Sequence, residues 1–265
     1  MARILDLRHV FVARGDATVL HDLCLTMEAC ESIALLGPNG CGKSTLIKTI
    51  TCECYPLVRP ESSVRIFGRE RWDLTELKKR MGVVLPELPG RPTLKISGRD
   101  AVISGFFSSS TLWPNLVVTD AMRARAEQVL EQLDSIGLAE KLVGEMSAGQ
   151  QRRIMIGRAL AGSGGVSGEG KEMLLLDEPS NALDLSAQQE MRAVLRGLAQ
   201  RGTTILLVTH HISDILPEIG RVVMMKGGRV VADGDKTSLL TAPVLSDLFG
   251  TRVSVEERDG FYHAW

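Results

Sequence analysis

Short apolar runs, some alternating with polar residues and some continuous, recur near residues 2–12, 32–36, 64–67, 82–85, 173–176, 204–209, 221–225 and 229–232. Each is strand-sized, and stretches with helical spacing lie between them. Strands alternating with helices build a parallel sheet covered on both faces. The rhythm breaks between about 95 and 160, where apolar positions fall at helical spacing over 119–136 and 149–160. This stretch reads as a helical insertion into an α/β core, entered through Pro86, Pro89, Gly90 and Pro92. A second break at 162–170 has five glycines in nine residues and reads as a surface loop, a tolerated insertion.

Composition narrows the function classes. At 265 residues the chain suits one large domain or two small ones, and it can bury roughly 70–75% of its unfolded surface. A net charge of −1 argues against a nucleic-acid binder held by bulk charge. The longest apolar stretches, such as 205–208, fall well short of the 18 or so residues a spanning helix needs. The first residues carry charges where a signal peptide has an apolar block, so a non-secreted protein is expected. If the chain acts in membrane transport, another chain must form the path. The five cysteines, Cys24, Cys30, Cys41, Cys52 and Cys54, read as reduced thiols. Cys52-Glu53-Cys54 has no matching Cys or His pair at metal spacing nearby.

The strongest chemistry lies at 32–51. A buried-strand pattern, Ser32 to Leu36, runs into Gly37-Pro38-Asn39-Gly40-Cys41-Gly42-Lys43-Ser44-Thr45, and a helix-like run follows. This is G-x-x-x-x-G-K-[ST] in a strand–loop–helix setting. Glycines let backbone N–H groups turn inward around phosphate oxygens, and a helix N-terminus adds partial positive charge. Lys43 can reach the β- and γ-phosphates, and the Ser44 hydroxyl can ligate Mg²⁺.

A second apolar run ends in Asp177-Glu178-Pro179. A strand ending on Asp177 can hold Mg²⁺ opposite Ser44, directly or through water. One residue further, Glu178 can polarise a water for in-line attack on the γ-phosphate. Upstream lies Met146-Ser147-Ala148-Gly149-Gln150-Gln151-Arg152-Arg153, and downstream Thr209-His210 follows a strand. With these motifs in order, the chain resembles the nucleotide-binding domain of the ATP-binding-cassette (ABC) family over roughly residues 3–240. The family's signature is usually written L-S-G-G-Q; here it is M-S-A-G-Q.

The resemblance implies a P-loop NTPase core with a mixed, mainly parallel sheet, an N-terminal antiparallel β portion and an inserted helical subdomain. It implies a single nucleotide-binding domain over 1–245, its core at 1–88 and 161–245 and its helical subdomain at 89–160, with a tail at 246–265. It implies ATP and Mg²⁺ as cofactors. Ser147, Ala148, Gly149 and Gln150 would meet the γ-phosphate of ATP held by an opposing subunit, in a head-to-tail dimer with itself or with another ABC ATPase. Asn181-Ala182-Leu183-Asp184 matches the family's D-loop. His210 matches the switch histidine that contacts the γ-phosphate; strand alternation is expected to point its neighbour His211 to the opposite side.

Three departures stand out. Arg14 occupies the place of the aromatic residue that stacks on adenine; a guanidinium plane can stack on a base. Phe11 is the alternative, although its alternation with Val10 and Val12 suits a strand. Pro86 occupies the place of the family's Q-loop glutamine, leaving Glu87 as a candidate Mg²⁺ ligand. Ala148 replaces the signature's first glycine. The aromatic 261–265 segment reads as a tail folded on its own domain or disordered, with a partner contact as the alternative.

The expected function is an ATPase subunit, cytoplasmic and peripheral on the membrane, that powers a transporter through a separate transmembrane permease. Glu178, His210 and Lys43 would carry hydrolysis. A stand-alone ABC switch acting on a cytosolic partner is the alternative. A binding module with feeble hydrolysis is opposed by the presence of Lys43, Ser44, Asp177, Glu178 and His210.

Overall fold

The computed structural model describes residues 3–162 and 173–265, so most of the glycine-rich 162–170 stretch lies outside the described residues. In chain order the elements are β1 (Arg3–Arg14), β2 (Ala17–Glu28), β3 (Ile33–Leu36), α1 (Lys43–Ile50), β4 (Ser63–Ile66), α2 (Leu74–Arg80), β5 (Met81–Val84), α3 (Arg91–Leu94), α4 (Gly98–Ser104), α5 (Asp120–Gln132), α6 (Ala148–Ala161), β6 (Met173–Asp177), α7 (Leu185–Gln200), β7 (Ile205–Thr209), β8 (Arg221–Lys226), β9 (Arg229–Asp235), α8 (Lys236–Leu239), α9 (Ala242–Phe249), β10 (Val255–Arg258) and β11 (Phe261–Ala264). They fall into two units, one of residues 1–74 with 204–265 and one of residues 75–203.

In the first unit, β3 lies between β7 and β8, parallel to both, and β9 closes the edge antiparallel to β8. Every residue of β3 and β7 is buried, as a parallel strand covered on both faces requires. A separate antiparallel sheet has the order β2-β1-β4. Arg14 and Ala17 face each other across a two-residue turn whose first residue, Gly15, has φ +59°, the left-handed conformation such hairpins need.

The apolar pattern of the sequence does not mark β2. Its core residues Leu20, Leu23, Leu25 and Met27 do not keep a strict period of two, because the β1–β2 register shifts between Leu7 and Val10 and again before Val12. His9 and Asp22, both at positive φ, mark the irregularity, and His9 Nδ1 lies 2.7 Å from Asp22 Oδ1. The C-terminal segment is ordered: β10 and β11 pair through Asp259-Gly260, both left-handed, and Tyr262 is buried while Trp265 is exposed. Aspartate followed by glycine is a strong hairpin signal.

In the second unit, β5 and β6 run parallel, and α4, α5 and α6 pack on one another. The predicted helices over 119–136 and 149–160 are α5 and α6. The first stops early because Asp134 turns left-handed at φ +49°. Gly157 on α6 leaves little room beside α4 and the end of α5: a Cβ there would lie 3.1 Å from Val102 and 3.2 Å from Leu133. The fold class is the one expected, an α/β core with a mixed sheet, an antiparallel portion and a helical insertion.

Candidate nucleotide site

In the first unit the buried strand β3 delivers the chain at Leu36 into the phosphate loop. Gly40 and Gly42 take φ of +76° and +107°, and Gly42 N-caps α1. Gly37 has no room for a side chain, since a Cβ would lie 2.4 Å from the Met225 carbonyl oxygen. The loop is also pinned by main chain: Gly228 N donates to Cys41 O at 2.9 Å, and His21 N to Gly228 O at 2.9 Å. Lys43 is buried, and its Nζ donates to Gly37 O at 2.7 Å and Pro38 O at 3.2 Å. The ammonium therefore sits inside the loop, while Ser44 at the helix start is exposed. Burial pushes the Cys41 thiol up from its ordinary value; the neighbouring Lys43 charge acts in the opposite sense.

Two further sequence candidates lie in this unit. Arg14 is exposed at the end of β1. Phe11 is half-buried, and the Arg59 guanidinium lies 3.7 Å from its ring centroid, so that aromatic face already has a cation on it. For His210 and His211 the alternation argument fails. β7 ends at Thr209, and the next two residues are outside any strand. Thr209 Oγ1 donates to Asp214 Oδ2 at 3.0 Å and accepts from His211 N at 3.0 Å, which turns the chain. The two imidazoles lie against each other, centroids 3.9 Å apart and ring planes tilted by 42°, instead of pointing to opposite sides. His210 is the half-buried member and His211 the exposed one.

In the second unit β6 is buried throughout and ends on the buried Asp177. Glu178 follows at φ +47°, a conformation that costs a non-glycine residue about 1–3 kcal/mol and gathers at functional sites. Its carbonyl accepts from Asn181 N at 3.0 Å, closing the turn. Ala182 is left-handed too, at φ +61°, and Asp184 N-caps α7 by accepting from Ala187 N at 2.8 Å.

The signature opens α6 with a capping box. Ser147 Oγ accepts from Gln150 N at 3.3 Å, and Gln150 Oε1 accepts from Ser147 N at 3.2 Å. Gln150 thus serves the helix start, while Ser147 still has a hydroxyl proton to donate. Gly149 is buried, and a Cβ on it would lie 2.8 Å from the Ala187 methyl. Ala148 is exposed.

After β5, Glu87 is exposed beside the half-buried Pro86. The sequence reasoning missed the residue that holds this loop. Arg152, on α6, is only 4% exposed; its Nη1 donates to Leu85 O, and its Nη2 to Pro86 O at 2.6 Å. Burial pushes this guanidinium down, and the charges of Glu87 and Asp177 pull it back up. The available signal was a cation three residues after the buried Gly149 on a helix whose buried face also carries Ile156.

Among the described residues no cluster of three or more His, Cys, Asp or Glu is placed to hold a metal, and no helix is long and apolar enough to cross a membrane. The oxygen donors of Ser44 and Asp177 are of the hard type that suits Mg²⁺.

A protein-family model described as "ABC transporter" matches residues 20–181. The chain is 30% identical over 244 residues to the hemin import ATP-binding protein HmuV of Aliivibrio fischeri, covering 91% of this chain and 88% of that one. It is 32% identical over 234 residues to the cobalt import ATP-binding protein CbiO of Rhodobacter capsulatus, covering 86% of this chain and 76% of that one. Among solved structures, CbiO1 of Clostridium perfringens superposes with a TM-score of 0.76 at 23% identity, covering 93% of this chain and 94% of that one. A dimeric bacterial ABC transporter cassette superposes with a TM-score of 0.69 at 25% identity, covering 87% of this chain and 98% of that one. The chain belongs to the ABC transporter family, as one of its ATP-binding subunits.

Proposed function

We propose that this subunit binds MgATP, closes head-to-tail on a second cassette, hydrolyses the nucleotide and drives a separate membrane permease in the import direction. The observation that supports it most strongly is the phosphate loop: Gly37 against the Met225 carbonyl, left-handed Gly40 and Gly42, and Lys43 drawn into the loop. In this reading the 37–45 backbone and Lys43 cradle the β- and γ-phosphates. Arg14 stacks on the base. Ser44 and Asp177 hold Mg²⁺, with Glu87 as an additional oxygen donor; the ion neutralises phosphate charge when bound. Glu178 takes the proton from the attacking water, and the strain at its φ of +47° fixes its direction. His210 senses the γ-phosphate, and Ser147, Ala148 and Gly149 offer hydroxyl and N–H donors to the nucleotide of the opposing cassette.

Import rests on the relatives, which are named for hemin and cobalt import. They favour the transporter over a cytosolic switch. Cassette pairing draws support from the dimeric neighbour, and the partner is a second copy or a paralogous subunit. The test is a pull-down from solubilised membranes and cytosol with Glu178→Gln loaded with MgATP. Stoichiometric recovery of a multi-span membrane protein is expected. Recovery of soluble partners alone would overturn the transporter reading.

A further inference from the structure

The loop after β5 poses a physical problem. Pro86 has no side-chain donor and no backbone N–H, so the segment cannot brace itself through that residue. Leu85 and Leu88 on the same loop are exposed, so they supply no core packing to fix it. Arg152 supplies the brace from α6, which the capping box at Ser147 starts. Its two Nη atoms reach successive carbonyls, Leu85 O and Pro86 O. The planar guanidinium presents these two donors from separate nitrogens in a fixed fork, whereas a lysine would have to make both contacts from a single rotatable ammonium. Its Nε is buried with no hydrogen-bond partner, so the side chain accepts an unsatisfied donor in order to make the two loop contacts.

We infer that Arg152 is a positioning residue that stands in for the missing glutamine: it locks the 85–87 loop to the signature helix and so sets where the Glu87 carboxylate stands during hydrolysis. This rests on the ATPase reading above. The negative charges of Glu87 and Asp177 act on the same guanidinium, which is the coupling such a strut needs. Because Arg152 is fixed to α6 at one end and to the loop at the other, a displacement of the signature helix is transmitted to the loop as displacement and not as slack.

The experiment uses the full chain with Arg152→Met, Arg152→Lys, Glu87→Gln and the Met/Gln double variant. The backbone amide order parameters of Glu87 and Leu88, measured by NMR relaxation, should fall from about 0.85 in the parent to below about 0.6 in Arg152→Met, with α5 and β6 unchanged. In MgATP hydrolysis, kcat should fall about tenfold while KM moves less than about threefold, because the phosphate loop is untouched. Arg152→Lys should fall between the parent and the Met variant, and it carries the order-parameter measurement if the Met variant does not fold. The double variant should hydrolyse no more slowly than its slower parent, since the two residues act as a unit. Unchanged order parameters at Glu87 and Leu88, a uniform fall across the second unit, or strictly additive kcat losses would each overturn the strut. An unmodified chain without hydrolysis would overturn the ATPase reading instead, and the order parameters at Glu87 and Leu88 would then decide whether Arg152 braces the loop.

Discussion

The phosphate loop of the first unit and the signature and acidic strand end of the second do comparable jobs with different materials. The loop is shaped by main chain. Gly37 abuts a carbonyl, Gly40 and Gly42 are left-handed, and Cys41 and Gly228 exchange a backbone hydrogen bond. Its one charged side chain is bound to the loop's own carbonyls. The signature and the segments around it in the second unit are held by side chains: a Ser147–Gln150 capping box, an Asp184 cap, Arg152 on two carbonyls, and Gly149 against the methyl of Ala187. Main-chain geometry tolerates almost no exchange of residue, because the constraint is the absence of a Cβ. Side-chain geometry can be rebuilt by another donor nearby. The departures fall where side chains set the contact: the phosphate loop matches the family pattern in full, whereas Arg14 on β1 of the first unit and Ala148 and Pro86 in the second do not.

The sharpest break in the comparison is chemical. Lys43→Ala should abolish nucleotide binding, measured with a fluorescent ATP analogue. Glu178→Gln should retain binding and lose about 10²–10³-fold in hydrolysis, on the order of 3–4 kcal/mol of barrier. Retained affinity in the first variant or an unchanged rate in the second would remove the assignment of that residue. If both variants lost binding equally, the division into a binding half and a hydrolysing half would fail.

Glycine substitutions compare the two materials directly. Gly37→Ala drives a methyl into a main-chain carbonyl, so roughly 1–3 kcal/mol of stability or more is lost with no simple rescue. For a chain of this size that is a fall of several degrees in Tm, at about 2–4 °C per kcal/mol. Gly149→Ala meets only the Ala187 side chain, 2.8 Å away. Measured against Ala187→Gly as reference, adding Gly149→Ala should cost almost nothing, whereas in the parent it should cost about 1 kcal/mol or more. Calorimetry on these variants decides it; a Gly149→Ala cost that persists in the Ala187→Gly background would mean the second unit is as backbone-limited as the first.

The same contrast explains what could be read from the residues alone. The phosphate loop was legible because main-chain constraints write themselves as glycines at fixed spacing, and the buried parallel strands because they are continuous apolar runs. β2 was not, because the irregularity at His9 and Asp22 breaks the period of two that marks a half-buried strand. The His210–His211 ring contact was not, because alternation applies only within a strand and β7 stops at Thr209. Arg152 was not, because a long side chain reaching across to another element leaves no local periodicity. Long-range side-chain bonds are invisible to spacing arguments, and Arg152 makes two of them.

A smaller effect belongs to the signature. Ser147→Ala removes one half of the capping box and should cost about 1 kcal/mol, or roughly 2–4 °C in Tm. Ser147→Thr keeps the acceptor and should recover most of the loss in Tm. If hydrolysis recovers with it, the hydroxyl is the group that matters; recovery of neither would show that the cap is not what holds this helix start.

The mildest probe is the Cys41 thiol inside the phosphate loop. Burial raises its pKa, so the folded chain keeps a proton there that the unfolded chain gives up first. The corresponding contribution to stability is full below the ordinary thiol pKa of about 8.5 and is lost as pH rises through the folded value. Two readouts follow. Iodoacetamide at about pH 7.5 should label the exposed Cys24 and Cys30 well before the buried Cys41, because the thiolate is the nucleophile and Cys41 forms less of it. On the alkaline side, Cys41→Ala should lose less stability with rising pH than the parent. Labelling of Cys41 as fast as Cys24 would mean that the loop opens on the timescale of the reaction. In that case main-chain contacts such as Gly228 N to Cys41 O would not hold it, and the phosphate loop would be no more rigid than a segment held by side chains.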